Sequence, residues 1–411
     1  MAALAAALLV PAGASAAPPE ASQSGLSSQL ASAMRQAGSS SSAYVADAST
    51  GQAIFRWRHN SSRILASNTK LFTTAAVLAR YGVEGRLNTA VRGRGTLSEK
   101  GVFSGDLYLV GGGDPTFGSS RFVRRAYGSG GTVDGLAEQL EEEVGIRRVT
   151  GRVYGDESSF DTLRGGPESG FGVSPYVGPL SALAYNRGLA TESGRGFQSA
   201  PAGFAAAGLH RALRARGVGV ARAPSIRAAP SSSEELAVVE SPTMTRLAAL
   251  TNKPSDNFLA ELLLKALGAQ AGGRGTTAGG ARLASRFAAR LGAAPTRLAD
   301  GSGLSRANRA TPARMVRLLL AMRDRDESDE FFSSLSIAGR DGTLGPRMRS
   351  GPARGNCRGK TGTLSNVSAL SGYCRARSGE TFVFSILMND VNPFGARNLQ
   401  DRMAQAMAGV R

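Results

Sequence analysis

Three short clusters in the sequence hold residues suited to acyl-transfer chemistry. In Ser67-Asn-Thr-Lys70 a serine and a lysine stand three residues apart, a spacing that puts both side chains on one face of a helix. A serine hydroxyl becomes a nucleophile when a base lies within hydrogen-bond reach, and lysine can be that base once its pKa is lowered. The positive end of the helix dipole and a second cation nearby would each favour the neutral amine. Ser255-Asp-Asn257 precedes the apolar run 258–267. Alone it reads as an N-cap cluster, and a spacing of two lets Ser255 and Asn257 point together only from a loop. Lys360-Thr-Gly362 lies in a strand-like run, where glycine marks either a bulge or the close approach of a backbone or ligand. A cation, a hydroxyl and bare backbone there suit an extended peptide that ends in a carboxylate.

Composition narrows the chemistry further. The 411 residues carry 49 basic and 31 acidic side chains, a net charge of +18, yet only five of the basic residues are lysine: Lys70, Lys100, Lys253, Lys265 and Lys360. Surface cations written as Arg are what codon bias produces. Lys is then kept more readily where a group that can lose its proton is needed. Two histidines, His59 and His210, leave little material for a Ser–His–Asp triad or a multi-histidine metal site. The arginines are scattered without interleaved aromatics, which argues against a nucleic-acid surface. Attraction to anionic wall polymers is an alternative to codon bias as the meaning of the charge. No run of 18 apolar residues occurs, so no spanning helix is expected. Gly273-Arg-Gly-Thr-Thr-Ala278 matches a dinucleotide fingerprint only loosely and follows a helix, not a strand.

The elements that must position these groups read as follows. A hairpin at 42–56 opens the folded part, and a helix at 67–80 carries Ser67 and Lys70. Helices are expected at 243–250, 258–267, 279–291 and 312–323, then a hairpin at 357–374, a strand at 381–388 and a closing helix at 395–410. Residues 84–240 change character, with short β-like runs, many Gly, Pro and Ser breaks, and one helix at 203–216. The pattern is an α/β (α+β) body formed by 24–83 and 241–411, interrupted by a β-rich insertion at 84–240. Residues 1–17 form a short apolar stretch ending in Ala14-Ser-Ala16, similar to a secretory signal. The basic n-region is absent, which leaves an upstream start, a partial match or an Ala-rich leader. If Ser365-Asn366 is a two-residue hairpin turn, Leu364 faces Val367 and Cys357 faces Cys374 at a non-hydrogen-bonded pair. The Cα separation there is about 4.5 Å, within disulfide range, whereas two independent buried thiols are the other reading. A disulfide would imply an oxidising compartment.

Taken together, SxxK, SDN and KTG occur in that order on a helix, a loop and a strand, and this set resembles the active-site-serine penicillin-binding proteins and class A β-lactamases. Gly111-Gly-Gly-Asp-Pro115, Tyr185-Asn186, Ala260-Glu261, Asp300-Gly-Ser-Gly-Leu-Ser-Arg306, Asp341-Gly-Thr-Leu344 and Lys360-Thr-Gly-Thr-Leu364 narrow the likeness. They resemble the low-molecular-mass D-alanyl-D-alanine carboxypeptidase/endopeptidases with a large insertion between the first two motifs. The resemblance implies a transpeptidase-like body, an antiparallel sheet flanked by helices. It makes Ser67 the nucleophile, Lys70 the general base and Ser255 the proton relay. Asn257 would orient the substrate backbone, and Lys360, Thr361 and Thr363 would hold the terminal carboxylate beside Gly362. Backbone N–H groups of Ser67 and Thr363 would form the oxyanion hole. It implies peptidoglycan stem peptides ending in D-Ala-D-Ala as substrate, β-lactams as covalent inhibitors, a secreted, wall-associated location, and no metal or organic cofactor. A β-lactamase or esterase on the same scaffold would need a deacylation base, and no Glu-x-x-x-Asn lies between the second and third motifs. An inactive wall-binding scaffold is disfavoured by the intact motifs.

Overall fold

The computed structural model describes residues 23–191, 193–270 and 272–411; the apolar leader at 1–17 lies outside the described residues. Its body is a six-stranded, wholly antiparallel sheet in the order Ser336–Ile337, Cys357–Leu364, Val367–Arg375, Thr381–Asn389, Ser41–Asp47, Ala53–Trp57. Val367–Arg375 and Thr381–Asn389 are buried along nearly their whole length, because helices cover both faces of the sheet. Alternation along Thr381–Asn389 separates the two cores. Phe382, Phe384, Ile386 and Met388 pack with Leu26 and Leu30 of the first helix and Met403 and Met407 of the last. Val383 and Leu387 face the opposite way, towards Leu71, Phe72, Leu262, Leu263 and Met315 of the central helices.

The helix Thr69–Tyr81 is buried from Thr69 to Leu78, and Asn257–Ala269 is buried from Phe258 to Gly268. Such helices are apolar on all sides except where a polar side chain has a partner. Here Thr74 Oγ1 donates to Lys70 O at 2.7 Å, Thr73 Oγ1 to Gly301 O at 3.0 Å, and Asn252 Nδ2 to Thr74 Oγ1 at 3.0 Å. Met244–Asn252, Thr277–Arg290, Pro312–Arg323 and Pro393–Gly409 lie within a few residues of the sequence reading, whereas the first helix, Gln23–Gln36, and the short Ser328–Ser333 are absent from it.

A second sheet, of seven strands, draws all of them from residues 88–240 and mixes antiparallel with parallel pairs. It has its own core, in which Leu107, Leu109 and Val153 meet Ala205, Leu209 and Leu213 of the helix Pro201–Ala215. This segment carries more helix than the sequence suggested. It contains Ser120–Tyr127 and Val133–Glu138, the second of which runs into a short π-helical turn at Gln139–Glu143. They are too short for periodicity to register, and their starts are set by capping: Ser119 Oγ accepts from Phe122 N at 3.3 Å and Thr132 Oγ1 from Gly135 N at 3.0 Å.

The hairpin holding Lys360 has the register derived from its two-residue turn. Leu364 pairs with Val367, Lys360 with Ser371 and Cys357 with Cys374. The two cysteines are joined as a disulfide with Cα atoms 4.1 Å apart. The covalent link therefore closes the end of the hairpin opposite the turn, and the Lys360 strand lies between them. Replacing both cysteines by alanine is expected to lower unfolding free energy by about 3 kcal/mol, as the chain-entropy model gives for a loop of this size. Chemical denaturation of the oxidised wild type against the double variant measures it, and equal midpoints would contradict a stabilising role.

Candidate active site

Ser67 sits in the 3-10 turn Ala66–Asn68 that leads into the helix Thr69–Tyr81. Two glycines let other backbones close on that turn. Gly362 lies against it so tightly that a Cβ there would stand 2.8 Å from Leu65 O and 3.0 Å from Ser67 N. Gly303, at φ +89°, approaches Ala66 O too closely to admit any side chain. Ala66 itself takes a left-handed φ of 45°, uncommon for a residue with a Cβ. The Lys360 strand and the 300–305 loop therefore wrap the serine from two directions. The glycine in the KTG stretch is explained by close approach of backbone.

Lys70 is wholly buried, and its Nζ has three neighbours: Ser67 Oγ at 3.0 Å, Asn257 Oδ1 at 2.7 Å and Ser302 O at 2.6 Å. Asn257 Nδ2 donates to Tyr176 O at 3.1 Å, which turns the amide oxygen towards Lys70. Asn257 Oδ1 and Ser302 O can only accept. A neutral amine commits both N–H bonds to them and keeps its lone pair for the Ser67 hydroxyl. Burial brings the Lys70 pKa down to about 8, against the pull of Asp300, Glu261 and Asp256, which favour the charged form. A neighbouring cation, one of the influences expected from the sequence, tells on Lys360, which is held well below the usual lysine range first by burial and then by Lys70.

Ser302 O owes its position to two buried carboxyls. Glu261 Oε1 accepts from Gly301 N at 3.1 Å and Ser302 N at 2.7 Å, while Asp300 accepts from Gly303 N, Ser305 N and Asn308 Nδ2, each at 2.7 Å. Burial raises both carboxyls, Glu261 to about 8. Ser302 and Ser305 thus shape the loop, and it is the Ser302 carbonyl that meets the lysine.

Ser255 stands in the turn ahead of helix Asn257–Ala269 at a left-handed φ of 64°, and its Oγ accepts from Lys360 Nζ at 2.8 Å. Asp256 caps the helix through Leu259 N at 3.0 Å and forms a two-pronged ion pair with Arg187, at 2.5 and 2.9 Å. The turn that presents Ser255 is thus braced from the second sheet's segment, which also supplies the Tyr176 carbonyl. Ser67, Ser255, Asn257, Thr361 and Thr363 open onto one cleft of about 890 Å³, which Glu168, Tyr176, Leu304, Thr343, Arg347 and Arg397 also line. Thr361 Oγ1 donates to Thr343 Oγ1 at 2.7 Å. Lys70 and Lys360 lie beneath this surface, both fully buried. Glu168, Tyr176, Arg187, Arg347 and Arg397 were not singled out from the sequence. Glu168, Tyr176, Arg347 and Arg397 line the cleft and Arg187 braces the Ser255 turn from behind, all from segments distant in the chain, and no local pattern marks them.

The matching family model, D-Ala-D-Ala carboxypeptidase 3 (S13), covers residues 23–195 and 194–410. A D-alanyl-D-alanine carboxypeptidase of Actinomadura sp. is 28% identical, over 90% of this chain and 81% of its own length. A carboxypeptidase of Mycobacterium tuberculosis is 31% identical, over 88% of this chain and 78% of its own. Among solved structures, penicillin-binding protein 4 of Haemophilus influenzae superposes with a TM-score of 0.76 at 20% identity, covering 92% of this chain and 99% of that one. A predatory endopeptidase of Bdellovibrio bacteriovorus, in complex with an immunity protein, gives 0.56 at 20% identity, over 89% and 92% of the two chains. At these identities the structural likeness speaks to the fold, and the sequence match speaks to descent: the chain belongs to the D-Ala-D-Ala carboxypeptidase 3 (S13) family of serine-type peptidases.

Proposed function

We propose that this protein cleaves the D-alanyl-D-alanine bond of peptidoglycan stem peptides outside the cytoplasm, as a carboxypeptidase/endopeptidase, through an acyl-enzyme on Ser67. The observation that carries the reading is the Lys70 amine at 3.0 Å from Ser67 Oγ, with its other two neighbours restricted to accepting. Lys70 takes the hydroxyl proton as Ser67 Oγ bonds to the peptide carbonyl. The backbone N–H groups of Ser67 and Thr363 stabilise the resulting oxyanion, a donor type whose removal costs about 10²–10³ in rate. Ser255, hydrogen-bonded by Lys360, relays the proton taken up by Lys70 to the leaving amine as the C–N bond breaks. Asn257 aligns the substrate backbone, and the strand that carries Thr361 and Thr363 receives its terminal carboxylate. Water then hydrolyses the ester and frees the shortened stem peptide.

In this reading the body is formed by residues 24–83 and 241–411 and the insertion by 84–240, consistent with each large sheet drawing its strands from one of them. The disulfide supports an oxidising, extracytoplasmic setting. Among the described residues no helix is long and apolar enough to cross a membrane. The Haemophilus protein has been solved with a β-lactam, and a Bdellovibrio endopeptidase acylated by penicillin G. The same chemistry at Ser67 makes this protein a target of β-lactams.

Two measurements test the reading. A fluorescent penicillin should leave a persistent band on a denaturing gel that Ser67→Ala abolishes. A band fading within seconds would favour a β-lactamase, and no band from folded wild type would sink the Ser67 mechanism. The acylation rate should depend on pH in one direction. With the Lys70 pKa at about 8, the neutral fraction falls as pH drops, so the rate declines roughly tenfold per unit below that value and levels off above it. A stopped-flow profile flat from pH 6 to 9 would remove Lys70 as the base.

A further inference from the structure

The cleft is lined by two arginines, Arg347 and Arg397, and a single carboxylate, Glu168. The two arginines are not equivalent. Arg347 is held by Asp401, with Nε–Oδ1 at 2.9 Å and Nη2–Oδ1 at 2.7 Å, and by Gln400 Oε1 and the Arg397 carbonyl, both at 3.2 Å. Its charge is already answered. Arg397 sits half-buried on the closing helix, and its Nη2 donates to Thr363 Oγ1 at 3.1 Å. Among the described residues no carboxylate lies within ion-pair distance of it, and its only other close partner is the ring of Phe394, 5.3 Å away.

Lys360 is poorly placed to meet a substrate carboxylate directly. It is fully buried, its Nζ donates to Ser255 Oγ and to Thr361 O, both at 2.8 Å, and burial together with Lys70 favours its neutral form. Thr361 already spends its hydroxyl proton on Thr343. An anion entering beside Thr363 therefore finds its strongest donor in the guanidinium of Arg397, which has N–H bonds to spare and a planar fork matched to a carboxylate.

We propose that Arg397 is the residue that recognises the free carboxylate of the leaving D-amino acid, acting with the Thr363 hydroxyl, and that it thereby selects peptides with a free C-terminus at the scissile residue. The inference rests on the peptidase reading above. The neutralising group is set by the C-terminal helix and the loop before it, not by the three motifs.

The experiment compares an acylated Lys-D-Ala-D-Ala peptide with the same peptide ending in an amide, for wild type, Arg397→Gln and Arg397→Lys. Wild type should prefer the free acid. Arg397→Gln should lower kcat/KM for the acid by roughly 10–100-fold, the range for losing a hydrogen bond to a charged group, and leave the amide within about twofold. Arg397→Lys, which keeps the charge and loses the fork, should fall between. If Arg397→Gln slows both peptides equally, Arg397 only positions Thr363 and the proposal is overturned. If neither rate changes, the carboxylate is bound elsewhere and it is likewise overturned. Cleavage of neither peptide by folded wild type would instead count against the peptidase reading itself.

Discussion

The molecule depends on keeping one amine out of water and among acceptors. Removing a lysine from water disfavours its charge strongly, and nearby carboxylates favour it. At Lys70 these opposing effects leave the pKa at about 8, where proton uptake and release are both accessible near neutral pH. Neither a fully solvated lysine nor one tightly paired with a carboxylate would serve. The acids are set one layer back: Glu261 and Asp300 bind the backbone of the loop, and the loop's Ser302 carbonyl meets Nζ. The carboxyls act on the lysine through space while a neutral dipole makes the contact.

Such a centre needs elements from several parts of the chain packed to within hydrogen-bond tolerance. The serine turn, the Gly303 loop, the helix behind Asn257 and the Lys360 strand converge there, and the close contacts at Gly303 and Gly362 leave no room for a side chain. The left-handed residues Ala66 and Ser255 carry the two site serines or precede them. Backbone held away from its preferred basins persists only when its surroundings over-determine it. For Ser255 the surroundings include Lys360 on one side and, through Asp256, Arg187 on the other.

How much of this the sequence revealed depends on how local each signal is. The three motifs are contiguous, so their residue types and order could be read directly. That Cys357 faces Cys374 followed from arithmetic, because a two-residue turn fixes the register of every later pair, and the structure adds the bond between them. Most body helices are long and apolar enough for their spacing to show, whereas the Ser- and Gln-rich first helix and the capped helices at 120–138 are not. Arg187, Tyr176 and Arg397 belong to the site only through tertiary approach. The source of the lysine's altered basicity was equally hidden, since burial is a property of the packed core, and Glu261, noted in sequence only as part of the likeness, gave no sign that it stands behind Lys70.

The strand order of the body sheet bears on the life of the chain before it is folded. Ser41–Asp47, among the first residues described, is hydrogen-bonded to Thr381–Asn389, near the last, with Ser41 opposite Met388. The first helix packs on the closing helix across the same sheet, as the joint core of Leu26, Leu30, Met403 and Met407 records. A chain emerging amino end first cannot close this sheet until its final strand has arrived, and bringing together segments so distant in sequence is intrinsically slow. The body sheet therefore keeps an unpaired edge through almost the whole of synthesis, while the 88–240 sheet, whose strands are all its own, can close earlier.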